Sequence, residues 1–242
     1  MASPTATAPF AGLAVALDPP WLIVRSGTAC TMASWSLTRP GLVTADTVAW
    51  LEVRNSDLPQ GRDPAALLAE AQAARGLAAA VGLMTSAAVA DHAAVRRVCC
   101  EDGGPPVAAE VVATLGLNNA ERVGRRVHAA AADPPPPGTI NLLCHVSVPL
   151  TTAALLETLS VATQARTAAV MALGLAMAPD GAPATGTGTD CIVAAAPVAA
   201  PGGPPPAAYA GTHTAIGEAV GAAVMAAVDR AAAAWRRRIQ PG

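Results

Sequence analysis

The residues best suited to chemistry sit in one string, PATGTGTDCIVAA (183–195), which lines up Thr185, Gly186, Thr187, Gly188, Thr189 and Asp190. Glycine lets a ligand approach the main chain, and a threonine hydroxyl both donates and accepts. The string therefore reads as a cradle of neutral donors with Asp190 as its charge. The same vocabulary returns in GTIN (138–141), with Asn141, and in YAGTHT (209–214). There Thr212 or Thr214 can cap a helix and hold His213 at its positive end. Such an end favours an anion or a developing oxyanion and keeps a nearby histidine in its neutral base form. LGLNNAERVG adds Asn118, Asn119, Glu121 and Arg122, and GLMTSA adds Thr85. Taken singly, each segment also reads as an ordinary turn, cap or surface pair.

Composition excludes several other chemistries. All fifteen basic residues are arginine, so a Schiff-base lysine and a P-loop lysine are both ruled out. The net charge of −2 and the absence of a long basic run argue against nucleic acid as a partner. No G-x-S-x-G, H-E-x-x-H or G-x-G-x-x-G motif occurs in a fitting context. Asp91-His92 lacks a third ligand at recognisable spacing, so no metal site is expected, and no cofactor requirement is visible. The five cysteines include the adjacent pair Cys99 and Cys100 but no C-x-x-C, which predicts reduced thiols in a cytoplasmic protein. No apolar run reaches the ~18–20 residues that span a bilayer, so no membrane association is expected. The apolar start, FAGLAVAL, lacks the basic flank of a signal peptide. The sequence leaves homo-oligomerisation open.

These residues need elements to position them. WLIVRS and GLVTADTVAWLEVRN read as strands of a hairpin. Asp63-Pro64 opens a helix that Gly76 ends. AVGLMTSA (80–87), AVRRVCCE, VAAEVVATLGL and GTINLLCHVSV (138–148) read as further strands. A helix follows from Thr151 to Leu173, stopped by Gly174, then a strand in DCIVAA, then a helix from about Thr214 to WRRR, where arginines meet the negative end of the dipole. Proline-rich loops at 133–138 and 197–208 punctuate a single domain, 1–242, because the pieces between them are too short to fold alone. The expected fold class is α/β or α+β: mixed β-sheets covered by helices, a strand-rich N-terminal part followed by β-α-β-α.

Taken together and in order, GLMTSA, LGLNNAERVG, GTINLL, ATGTGTDCIVAA and YAGTHTAIGEAVGAAV resemble the adenosylcobinamide amidohydrolase family. The resemblance implies hydrolysis of the amide that links aminopropanol to the corrin ring, giving adenosylcobyric acid for cobamide salvage, with a corrinoid as substrate. On the chemistry of amide hydrolysis itself, Asp190, His213 and Glu121 are the catalytic candidates, as groups that activate water or a threonine hydroxyl. Thr85, Asn118, Asn119, Asn141, Thr185, Gly186, Thr187, Gly188, Thr189, Thr212 and Thr214 become substrate-binding candidates. The early region departs from the family: Ser34 is kept, Arg39-Pro40-Gly41 stands near a glycine turn, and Trp50 stands where an asparagine is expected. Gln164 and Arg166 replace a Glu-x-Lys pair. Two alternatives stay open: a non-catalytic corrinoid-binding protein of the same family, and a different small-molecule amide or phosphate-ester enzyme with its anion at the helix starting near Thr214.

Overall fold

The computed structural model describes residues 12–59, 61–101, 104–125, 138–177 and 181–239. In chain order these hold strands β1 (Ala14–Asp18), β2 (Trp21–Ser34) and β3 (Gly41–Glu52), helix α1 (Pro64–Ala74), and strands β4 (Val81–Thr85), β5 (Ala93–Cys99), β6 (Val107–Leu115) and the short β7 (Ala120–Glu121). Then come β8 (Ile140–Val146), helix α2 (Thr152–Ala172), the two-residue strands β9 (Ala176–Met177), β10 (Ala182–Pro183) and β11 (Gly186–Thr187), the long β12 (Cys191–Pro197) and helix α3 (Ala215–Ile239). One mixed sheet of eight strands runs β4-β3-β2-β12-β8-β6-β5, with β1 paired to β2. The fold is thus α+β with a strand-rich start. The proline run 133–137 lies outside the described residues; the loop at 197–208 is largely exposed, as its prolines predict.

Local chemistry sets the helix ends. Asp63 accepts from the Ala65 N–H at 3.0 Å, Pro64 takes the first position of α1, and Gly76 leaves it at φ +72°. Thr151 accepts from the Ala154 N–H at 3.2 Å, and Gly174 leaves α2 at φ +67°. The Thr214 hydroxyl accepts from the Gly217 N–H at 3.0 Å and so caps α3.

The middle of the sheet is the parallel pair β8 and β12, joined through α2 and buried along nearly every position. Parallel strands of this kind need both faces covered. On one face, α2 and α3 pack in rows of small residues: Ala219, Ala223, Ala227 and Ala231 fall four apart on α3 and bury against Val111, Ala113 and Leu142. On the other face no helix α1–α3 contributes. Trp50, Leu22, Met32, Leu83, Val112, Leu143 and Val193 pack together there from six strands, so the sheet curls over its own inner side. Asn141 of β8 fastens that curl, donating from Nδ2 to the Met84 carbonyl of β4 at 2.8 Å.

Candidate active site

The curl leaves a cavity of about 710 Å³ where the C-terminal end of β4 faces the N-terminal ends of β8 and β12. Cross-strand partners share a face, so Thr114, Asn141 and Cys191 form one row at this end of the sheet. Thr85 and Ser86 come from the end of β4, Asn119 from the turn after β6, Thr139 from the approach to β8, and Gly188, Thr189 and Asp190 from the loop before β12. Trp35, Leu37, Leu58 and Met84 supply an apolar wall. The polar residues thus come from four segments far apart in sequence, and the apolar wall adds the end of β2 and the stretch around Leu58.

Asp190 builds the loop. Its Oδ1 accepts from the Ile140 N–H at 3.0 Å and from the Thr187 hydroxyl. Its Oδ2 accepts from the Thr187 N–H at 2.9 Å and pairs with the Arg166 guanidinium of α2. These four donors match the roughly four lone-pair sites of a carboxylate. The geometry therefore makes Asp190 a positioning group and leaves it no acceptor site for a water proton. Arg166 is itself largely buried, and desolvation lowers its pKa. Gly186 is required where Arg166 and Asp190 meet: a Cβ there would lie 2.1 Å from Arg166 Nη1 and 2.4 Å from Asp190 Oδ2. Gly188 is the opposite case, with nothing within 4 Å of where its Cβ would stand, so its main chain is open to a ligand.

The cavity is rich in acceptors. Asn141 is 1% exposed, and its Oδ1 has no hydrogen-bond partner. Asn119 Oδ1 and Ser86 Oγ are likewise buried without partners. The Thr189 hydroxyl donates to the Gly138 carbonyl at 3.2 Å and so accepts from the Thr139 hydroxyl at 2.8 Å. Gly138 makes room for this: a Cβ on it would come within 2.5 Å of Asn119 Oδ1. Thr85 Oγ1 accepts from the Ala87 N–H at 3.0 Å. Cys191 lies on the wall, but burial pushes its thiol up to about 12, which removes it as a thiolate nucleophile.

The remaining candidates fall elsewhere. Thr185, Gly186, Thr187 and Glu121 line a second cavity of about 330 Å³ behind the loop, together with Arg122 and Arg166. Glu121 pairs with Gly186 across the β7–β11 ladder, and Thr185 Oγ1 accepts from the Val123 N–H at 2.8 Å. Asn118 is exposed and accepts from Trp235 Nε1 at 3.3 Å. His213, Thr212 and Thr214 stand at the start of α3, which the structure places at the far end of the sheet. There the Ala215 N–H donates to Glu101, just past β5, whose end pairs with the start of β6. That end lies about 20 Å along the ladder from Asn141, at ~3.3 Å per residue. The expectation that GTHT joins the Thr-Gly string around one cleft is corrected: α3 reaches this end of the molecule with its C-terminal Trp235, not with His213. An anion on α3 also loses its place, because the Glu101 carboxylate and the Thr214 hydroxyl already meet the first N–H groups.

Sequence reasoning missed Trp35, Ser86, Thr139, Arg54 and Asn55 on the cavity wall. GLMTSA and GTIN themselves contain Ser86 and Thr139. Trp35 carried none, since its role depends on the β2 end meeting the loop before β12. Trp50, in the place of an expected asparagine, is a fully buried core residue. Asp91 pairs with Arg238 at 2.7 Å, and among the described residues no group of three or more metal-ligating side chains gathers. All five cysteines are free thiols. Among the described residues no helix is long and apolar enough to cross a membrane.

Comparison with known proteins gives a family. Solved structures similar to this chain include a Burkholderia sp. beta-aminopeptidase (18% identity, 89% of this chain and 78% of that one, TM-score 0.41) and the PH0078 protein from Pyrococcus horikoshii OT3 (10% identity, 91% and 82%, TM-score 0.47). No curated protein matches the sequence significantly. The family model for adenosylcobinamide amidohydrolase (CbiZ) matches residues 9–240, nearly the whole chain. The chain therefore belongs to the adenosylcobinamide amidohydrolase family, hydrolases that act on an amide.

Proposed function

We propose that this protein hydrolyses the amide joining aminopropanol to the corrin ring of adenosylcobinamide and releases adenosylcobyric acid for cobamide salvage. The observation that carries this reading is the convergence of Thr85, Ser86, Asn119, Thr139, Asn141, Gly188 and Thr189 on one largely uncharged cavity. A corrinoid rim bears neutral amides, which pair with hydroxyls and asparagine side chains rather than with salt bridges. Asp190 is anionic, but its charge is spent on Arg166 and three further donors. A cavity of this size takes a peripheral side chain and part of a ring edge, with Trp35, Leu37 and Leu58 offering an apolar rest.

The site's part in the reaction follows from its geometry. Amide hydrolysis needs donors aimed at the developing oxyanion, and losing one costs about 3–4 kcal/mol, so such donors belong on rigid main chain. The open backbone at Gly188 fits that role because Asp190, bonded to Thr187 and to the Ile140 N–H, pins the loop. The Thr187 hydroxyl and N–H both donate to Asp190 and so help to hold the loop in place. Thr187 faces the smaller cavity. Free thiols at every cysteine suit a reducing cytoplasm.

The test is to incubate folded protein with adenosylcobinamide and separate the products by chromatography. Adenosylcobyric acid and aminopropanol in equal amounts are expected. No product at high enzyme concentration overturns the reading.

A further inference from the structure

The acceptors around the main cavity define the group that binds there. Asn141 has its amide orientation set, because Nδ2 donates to the Met84 carbonyl at 2.8 Å. Its Oδ1 therefore stays an acceptor, buried and without a donor. Asn119 lines the same cavity, and its Oδ1 too is buried without a partner. The Thr139 proton is already committed to the Thr189 oxygen, and the Thr189 proton to the Gly138 carbonyl. The two asparagine oxygens on this wall ask for hydrogen-bond donors.

Chemistry narrows the donor. A carboxylate brings no N–H and adds charge against bare carbonyl oxygens. An ammonium needs a counter-charge, and Asp190 is already paired with Arg166. A secondary amide, such as the one to be cleaved, has a single N–H. A primary carboxamide has two, one for each asparagine oxygen. We propose that Asn119 and Asn141 together bind an uncleaved primary carboxamide of the substrate rim, reading amide against acid and so fixing which neighbouring side chain reaches Gly188. This rests on the corrinoid reading above.

The experiment uses the full chain, adenosylcobinamide, and its peripheral monocarboxylate derivatives, each with one –CONH2 turned into –COO⁻. Binding is followed by corrin absorbance and cleavage by aminopropanol release. One monocarboxylate isomer is expected to bind about 30-fold or more weakly than the parent, with the others within about 3-fold. Asn119→Ala should weaken the parent about 10-fold and flatten that discrimination. Asn141→Ala should do the same; because it also strips the Met84 carbonyl of its donor, Asn119→Ser serves as a second variant, with circular dichroism confirming the fold. Equal binding of every monocarboxylate, or discrimination that survives in folded Asn119→Ala, overturns the proposal. Discrimination in binding with no aminopropanol released upholds the carboxamide site and overturns the hydrolysis. Cleavage of all isomers at the parent rate does the reverse. No binding of any corrinoid overturns both.

Discussion

Trp35 Nε1 donates to the main-chain carbonyl of Asp190 at 2.7 Å, so the end of β2 is tied directly to the loop that opens β12. The ring is half exposed yet held in place at the cavity wall. Trp35→Ala removes both the apolar surface and the tie. It should raise KM for a corrinoid about 10-fold or more while lowering the melting temperature little, since half of the side chain is already in water. Trp35→Phe keeps a ring and should fall between the two. Steady-state kinetics beside a thermal melt separates these effects; an unchanged KM in Trp35→Ala would rule the residue out as a wall for substrate.

Breaking the Arg166–Asp190 pair should cost far more stability than a surface pair. The two side chains are 13% and 7% exposed, and removing one partner of a buried pair costs about 3–5 kcal/mol because the other charge is stranded. Asp190→Ala is therefore expected to unfold at clearly lower urea and to lose activity. Arg166→Met combined with Asp190→Ala should recover part of the stability and none of the activity. A double-mutant cycle in urea measures the coupling, and additive losses would show that the pair contributes nothing jointly.

His213→Ala should leave kcat/KM within about 2-fold, since an exposed residue at the far end of the sheet cannot reach the cavity. Thr214→Ala should instead lower stability by about 1 kcal/mol through the lost cap on Gly217, again with little effect on turnover. Loss of activity in a folded His213→Ala sample would place the reaction at the start of α3.

Acid should destabilise the fold through His145. Burial lowers its pKa to about 4, and its Nδ1 lies 3.8 Å from Glu110 Oε2, beyond hydrogen-bond distance, with Glu110 itself paired to Arg96. The unfolded chain takes up a proton near the ordinary value of about 6.5, while the folded chain does not until about pH 4, so the unfolded state holds more protons in between. Stability is full above about pH 6.5 and falls with pH by up to ~1.4 kcal/mol per unit across that window. Urea unfolding at several pH values should show a shallower slope for His145→Leu than for the wild-type chain.

Much of the fold could be read directly because its signals are local. Asp63, Pro64 and Gly76 bracket α1, and Thr151 and Gly174 bracket α2, as their side chains and positive φ require. The Thr-Gly string, GTIN and the asparagine turn do reach common ground, though Asn118 and Thr187 face away from the main cavity. What could not be read was long-range. β1, a five-residue strand, looked only like an apolar start, because its partner is chosen by the hairpin through Pro19 and Pro20. The misplacement of His213 has a single cause. Helix α3 has 25 residues and spans about 37 Å at 1.5 Å per residue, so its two ends serve opposite ends of the sheet. Its sequence marks where it starts but not which end of the sheet that start will meet.

The loop before β12 is a partition one residue thick: Gly186 and Thr187 face the smaller chamber, and Gly188, Thr189 and Asp190 face the larger. With Gly186 wedged against Arg166 and Asp190, this diaphragm has no slack on the rear side. A bulky side chain introduced at Thr163 or Thr167, on the rear chamber's lining, is therefore expected to press on Arg166 and to reach, through Asp190, a substrate it never touches.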